Sequence, residues 1–586
     1  MELQNINAPT AIKQQYVLGP SWALPITSIG RSPRCNFVRS EQLAGVDIKH
    51  GVREAGCSDA ASNQTGPSKA PSARRYRAVF KENDAGLREA HSLTFWNLVL
   101  RAAQEAPDRV IIADDHGHSL TTAQFRDTSE QVAAALPISP GDSVSWQLPT
   151  SIEAAVLMAA LARIGAIQNP IIPAFREREV GIVTSQVQPS LYVTPDTWRG
   201  FDFATMAKGF GCRVLAVEFE DTACPDLRLP VGDPEILPPA PSLDSRWIYY
   251  SSGTTSVPKG VKHTDSSLIA GATGIIELST FGDGDVYPMA WPLTHIGGIS
   301  MVTACLKAGL KLVLFDTWDP ATTPERMAAH APTILGSAQP FFRAYVDAQR
   351  RKGTQPLFPS LRIITAGGAP TPPEIVRELI DVLGVRGVQG SYGLTEFPIA
   401  TAASPGDPDD ILLRSVGRLS PGVRARVVDG EIRLKGPQCF DGYVDEALNA
   451  KAFDVDGWFC SGDLGEIDAN GNVFITGRLK DVIVRNAENI SALEIEDVLL
   501  RHRDITDVAV IGLPDARTGE RVCAVVVPSA DVTVDQAELA AHCIAMGLAK
   551  YKCPEQIVLV AKLERNAMGK ALKQQLRKEI LEGLHD

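Results

Sequence analysis

The sequence predicts an α/β fold in which a large N-terminal domain of layered βαβ sheets precedes a small α+β C-terminal domain. Three observations carry this. Short apolar runs of strand length alternate with helical stretches from Val110 to Ala366. One of those runs, Trp247 to Tyr250, breaks abruptly into a loop of small hydroxyl residues. Beyond Arg478 a different order begins, in which a helical segment, two long apolar runs and a second helical segment follow one another.

Residues 1–75 stand apart. Ala55 to Arg75 is rich in Ala, Ser, Pro and Gly without an apolar period, the composition of a chain that buries too little surface to offset its ordering entropy. A disordered extension is expected there, followed by the large domain over 76–478 and the small domain over 479–586. In the large domain, Leu93 to Ala106 and Leu120 to Leu136 have helical spacing. Strands are expected at Val110–Ala113, Val144–Leu148, Ile167–Ile172, Leu191–Thr194, Val214–Val217, Trp247–Tyr250, Leu312–Phe315 and Ile363–Ala366. In the small domain, Leu493–Leu500 and Asp535–Met546 read as helices, Val508–Ile511 and Val522–Val527 as strands.

Composition bounds the function. A formal net charge of -12 over 586 residues argues against broad affinity for nucleic acid or anionic membrane. The ten cysteines are scattered, with no C-x-x-C pair, and read as reduced, buried side chains. The most apolar long segment, Ala154 to Pro173, contains Arg163 and Asn169 and fails as a membrane span. With no basic, then apolar, N-terminal signal, a cytoplasmic protein is expected. Oligomeric state is not legible.

The stretch Trp247 to Thr264 (WIYYSSGTTSVPKGVKHT) carries the chemistry. Polyphosphate binding requires backbone N–H groups at close range, small hydroxyl donors and a cation. Ser251, Ser252, Gly253, Thr254, Thr255 and Ser256 supply the first two, and Lys259, set between Pro258 and Gly260, supplies the third. The Walker A pattern is absent, because Gly260 and not Ser or Thr follows Lys259. A flexible Ser/Thr/Gly linker is the plainer reading of the loop alone. The ordered succession of strand, hydroxyl loop, Pro-Lys-Gly and Val261 disfavours it. The stretch resembles the phosphate-binding loop of the adenylate-forming enzymes, which include acyl-CoA synthetases, firefly luciferase and peptide-synthetase adenylation domains.

Further matches follow in order, covering about Leu93 to Leu576. Tyr287 to Ser300 places His295 before Gly297-Gly298. A lone His among apolar residues is ordinarily a satisfied core residue; the resemblance implies instead an acyl pocket involving Trp291, His295, Gly297 and Gly390. Thr365 to Pro370 contributes Gly367, Gly368, Ala369 and Pro370, the family's adenine site. Gly390 to Glu396 is the more specific match: the resemblance implies that Ser391, Tyr392 and Gly393 meet the nucleotide, with Tyr392 stacked on adenine, that Thr395 bonds the α-phosphate, and that Glu396 holds Mg²⁺. It further implies ribose contacts from Asp463 and Arg478, a hinge at Lys480 and a catalytic Lys570.

The activity so implied converts a fatty, cyclic or aromatic carboxylic acid, ATP and CoA into acyl-CoA, AMP and pyrophosphate, with Mg²⁺, the small domain rotating between half-reactions. Ile171 to Val180 resembles members acting on cyclic or aromatic acids. Two departures bear on the acceptor: Ala487 and Ala492 stand where the family usually has Gly and Pro. The alternatives are a ligase loading a carrier-protein thiol, a luciferase-like oxygenase, and a catalytically silent nucleotide- or acyl-binding protein. Retention of Lys259, Glu396, Asp463, Arg478 and Lys570 together argues against the last.

Overall fold

The computed structural model describes residues 93–584 except 220–226, 242–245, 252–257, 370, 487, 530–531, 533 and 567–568. The expected extension, 1–75, lies outside them. Apolar segments of strand length fold into three sheets in the large domain, each with a parallel centre. The first runs Lys259–Thr264, Arg246–Ser251, Ile167–Pro170, Ser143–Trp146, Leu191–Pro195, Arg213–Val217, and its last five strands are parallel. The second places Ile334–Ser337, Ile363–Ala366 and Gly387–Leu394 in parallel, with Phe397–Ala402 and Arg418–Leu419 added antiparallel. The third joins Val286–Met289, Lys311–Leu314 and Val110–Asp114 in parallel and closes on Ser119–Thr121.

The apolar segment rejected as a membrane span is a core helix and its following strand. The helix Ile152–Ile164 is buried along its whole length, which explains why it is apolar on every side. Arg163 ends it, its Nε 3.2 Å from Oε1 of Glu130. Among the described residues no helix is long and apolar enough to cross a membrane.

A fourth sheet has no counterpart in the reading of the sequence. Arg424–Val428, Glu431–Lys435, Phe459–Ile467 and Val473–Arg478 form a fully antiparallel meander. Charged residues such as Arg424, Arg426, Arg433 and Lys435 alternate with apolar ones because one face is wet, which hides the apolar run that marks a buried strand.

After Arg478 the 3₁₀ turn Leu479–Asp481 leads into a separate five-stranded sheet with its own core, including Ile483, Ile495, Val510 and Val522. The expected strands extend to Ile505–Asp515 and Gly519–Pro528, and the helices run Ala492–Leu499 and Gln536–Ala545. Ala492, standing where the family has Pro, is buried at the first helical position. The helix is started instead by Ser491, whose hydroxyl accepts from the Glu494 N–H.

Candidate active site

The strand Arg246–Ser251 turns back as the antiparallel strand Lys259–Thr264, with Lys259 opposite Ser251. These two strands thus form a hairpin. Ser251 ends its first strand, and Ser252, Gly253, Thr254, Thr255 and Ser256 lie outside the described residues. The Lys259 ammonium sits 5.6 Å from the ring centre of Tyr443. Gly260 is required sterically: a Cβ there would lie 2.7 Å from Val444 Cγ2 and 3.0 Å from the Tyr250 hydroxyl.

The motif Gly390 to Glu396 occupies a second hairpin, Gly387–Leu394 with Phe397–Ala402. Gly393 lets the two strands close, since a Cβ would come 2.5 Å from the Ile399 nitrogen. Ser391 donates to the Ala366 carbonyl at 3.0 Å, and its Oγ fills the space a Cβ on Gly367 would need. Gly368 has φ +79°, and Ala369 follows it half-buried; Pro370 lies outside the described residues. Gly390 packs against backbone, where a Cβ would meet the Ser415 carbonyl oxygen at 2.8 Å.

Asp463 and Arg478 face each other across the antiparallel pair Phe459–Ile467 and Val473–Arg478. Arg478 Nε is 2.7 Å from Asp463 Oδ1, while the Tyr392 hydroxyl donates to Oδ2 at 2.7 Å. Burial first, then the Asp463 charge, holds the Tyr392 phenol well above its usual range. Glu396 is 9% exposed, and its Oε1 accepts from the Tyr443 hydroxyl at 2.8 Å. No described residue is bonded to its Oε2. A buried carboxylate with one oxygen anchored and one open, beside Lys259 on the same tyrosine, suits a hard divalent cation such as Mg²⁺.

His263 escaped the reading of the sequence. It is fully buried, and its Nε2 lies 2.7 Å from the Thr395 carbonyl oxygen, so Nε2–H donates and fixes the backbone between Thr395 and Glu396. Burial lowers its pKa to about 4, keeping the ring neutral. The available signal was its place two residues beyond Val261 on the same strand face.

Lys570 arrives from the small domain. Its N–H donates to Asn566 Oδ1 at 2.9 Å, and Gly569 before it packs on the large domain, where a Cβ would come 3.0 Å from Pro340 Cδ. Burial, then the charges of Arg478 and Lys480, lower the Lys570 pKa to about 7, with Asp481 and Asp463 opposing. Burial and Arg478 likewise bring Lys480 to about 8. Lys570, Lys480, Arg478 and Asp463 are thus one electrostatic cluster. Contacts that hold the small domain in this position include Arg501 Nε to Glu374 Oε1 at 2.9 Å, the Arg343 guanidinium donating to the Thr506 carbonyl at 2.7 Å, and the Ser491 hydroxyl donating to the Thr476 carbonyl at 2.7 Å.

A cavity opens beside Thr395. Pro170, Ile171, Ile172 and Phe175 form one wall, Tyr249 and Tyr250 another, and Thr294, His295, Ile296 and Thr395 complete it. Of the residues expected in an acyl pocket, His295 lines the cavity. Trp291 stands behind it at 6.3 Å between ring centres, Gly297 packs against the Trp291 ring, and Gly390 is not part of the lining. The close approach allowed by the double glycine is to backbone: a Cβ on Gly298 would strike the Leu293 carbonyl. His295 Nδ1 accepts from the Gly297 N–H at 3.2 Å, and burial lowers the ring pKa to about 4. The imidazole is neutral and carries its proton on Nε2.

Comparison with known proteins identifies the family. The model of the AMP-binding enzyme family matches residues 99–444, and that of the AMP-binding enzyme C-terminal domain matches 494–570. The chain is 31% identical to a medium-chain fatty-acid–CoA ligase of Escherichia coli, covering 85% of this chain and 91% of the relative. It is 30% identical to a salicyl-AMP ligase / salicyl-S-ArCP synthetase of Mycobacterium tuberculosis, covering 82% and 89%. ATP-bound MatB from Rhodopseudomonas palustris superimposes with a TM-score of 0.73 at 28% identity, covering 82% of this chain and 98% of MatB. The chain belongs to the AMP-binding enzyme family.

Proposed function

We propose that this enzyme is an AMP-forming acyl-CoA ligase, which activates a carboxylic acid with ATP and passes the acyl group to the thiol of CoA. One observation carries the reading: Lys570 of the small domain stands half-buried within electrostatic range of Arg478 and Asp463 of the large one. A carboxylate cannot be joined to a thiol directly, because oxide would have to leave. Adenylation replaces oxide with AMP, at the cost of bringing a carboxylate up to a negatively charged α-phosphate. Preorganised positive charge and alignment lower that barrier.

In this reading Lys570 bridges the carboxylate and the α-phosphate, Thr395 bonds the α-phosphate, and Lys259 meets the departing phosphates. The Asp463 carboxylate accepts from the ribose hydroxyls with Arg478 beside it, and Tyr392 offers its ring to adenine. Ser251 to Ser256 and Gly367 to Pro370 contribute the rest of the nucleotide site. Mg²⁺ held by Glu396 would neutralise charge on the phosphate oxygens. Thioester formation then requires Lys570 to withdraw, which rotation of the small domain at Lys480 accomplishes.

The test is mass-resolved product analysis with ATP, Mg²⁺ and a panel of carboxylic acids, with and without CoA. Acyl-CoA together with AMP is expected. Acyl-AMP that accumulates and ignores CoA would reassign the acceptor to a carrier-protein thiol, with Ala487→Gly the first reversion to make.

A further inference from the structure

The cavity that Thr395 helps to line has mostly apolar walls but holds polar groups with nothing to bond. Thr294 is 1% exposed and Tyr249 2%, and neither hydroxyl has a hydrogen-bond partner among the described residues. Both residues line the cavity together with His295, whose Nδ1 accepts from the Gly297 N–H and so leaves Nε2–H as the donor of the ring. Ile296, also in the lining, begins the helix Ile296–Ala308, and Ser300 and Thr303 follow it at the i+4 and i+7 positions of the same helix face. Their hydroxyls are buried and unpartnered too. Ser300 and Thr303 are outside the lining; buried hydroxyls normally find partners, so the unpaired Thr294 and Tyr249 within it mark a place where a bound molecule supplies them.

Charge sets the second condition. Among the described residues that line the cavity none carries a charge, and His295 is neutral. Arg176, on the adjoining segment, is already engaged: it donates to the Pro173 and Phe175 carbonyls and lies 4.4 Å from the centre of the Phe201 ring. An anionic or cationic group on the acyl body would be desolvated there without a counter-charge.

Resting on the ligase reading above, we propose that the substrate is a monocarboxylic acid whose acyl body is uncharged and carries a hydroxyl or carbonyl oxygen, held by Thr294, Tyr249 and His295. Each of these side chains can donate, so one acceptor oxygen can satisfy all three. Ile171, Ile172, Phe175 and Ile296 cover the hydrocarbon part. A pocket built to bond an oxygen discriminates strongly against the analogue lacking it, because its polar groups then stay buried and unpaired.

The experiment measures acid-dependent ATP–pyrophosphate exchange for matched acids: 4-oxocyclohexanecarboxylate against cyclohexanecarboxylate, and 3-hydroxybenzoate against benzoate, with cyclohexane-1,4-dicarboxylate as the doubly charged control. At least one oxygenated acid is expected to exceed its parent by about 10²-fold in kcat/KM, with no exchange for the dicarboxylate. Thr294→Val, which keeps the shape and removes the hydroxyl, is expected to lower kcat/KM for the oxygenated acid more than for its parent, moving the ratio toward one. Tyr249→Phe gives a second, independent ratio. Parents used as well as their oxygenated partners, or ratios unchanged in both variants, overturn this inference and leave the ligase reading standing. No exchange with any acid, together with no ATP binding by calorimetry, overturns the ligase reading and this inference with it.

Discussion

The Tyr392 hydroxyl donates to Asp463 Oδ2 at 2.7 Å while Arg478 Nε holds Oδ1 of the same carboxylate at 2.7 Å. Tyr392 and Arg478, 86 positions apart in sequence (478 − 392), thereby fix one buried acceptor between them. Asp463→Asn removes the charge that pairs Arg478 and exchanges one acceptor oxygen for an amide donor. Hydrogen bonds to charged groups contribute about 1.5–3 kcal/mol, so a rise in the Kd for ATP of about 10- to 150-fold is expected by calorimetry. Tyr392→Phe should cost less, and an unchanged Kd in Asp463→Asn would remove Asp463 from the nucleotide site.

Lys570 links ATP binding to proton uptake. With its pKa lowered to about 7, the side chain is mostly neutral in the free enzyme at pH 8. Bound phosphate oxygens favour the ammonium and raise that pKa, so ATP takes up a proton at pH 8 and takes up little at pH 6, where the lysine is already charged. Titrations in buffers of different ionisation enthalpy measure the number directly. Lys570→Met should remove most of the uptake and leave the smaller share due to Lys480, whose pKa is about 8. Equal uptake at both pH values would contradict the assignment.

His263 acts on Glu396 through the backbone of Thr395. His263→Leu keeps bulk in the core but leaves the Thr395 carbonyl without its donor, an expected loss of about 1–3 kcal/mol in urea unfolding. A merely structural role would stop there. The positioning role adds a rise in the Mg²⁺ concentration giving half-maximal adenylation, because the backbone on either side of the Thr395–Glu396 bond is no longer held.

The Arg343 bond to the Thr506 carbonyl spans the two domains, as does the Arg501–Glu374 pair. If the small domain turns between half-reactions, these contacts belong to adenylation alone. Arg343→Ala removes an exposed charged contact, commonly about 0.2–1 kcal/mol, so adenylation should slow by less than about sixfold. Thioester formation from supplied acyl-AMP should not change. Equal slowing of both steps would mean that the two domains keep this contact throughout.

Much of this protein was determined by local pattern. The buried strands of parallel sheets are continuous apolar runs, so Ile363–Ala366 and Leu191–Pro195 stand out in the chain. The order of Lys259, Glu396, Asp463, Arg478 and Lys570 is likewise a property of the sequence. Tertiary structure decided what alternation and distance conceal. The meander from Arg424 to Arg478 carries a wet face and gives no apolar run. His263 reaches the Thr395 carbonyl across 132 positions, a pairing that strand direction and not spacing creates. The pKa of Lys570 depends on burial and on charges from both domains, and the unpaired hydroxyls of Thr294 and Tyr249 exist only as an excess of polar groups over partners in the folded chain. Hydrogen-bond satisfaction and desolvation are sums over neighbours in space, so only the folded chain sets their values.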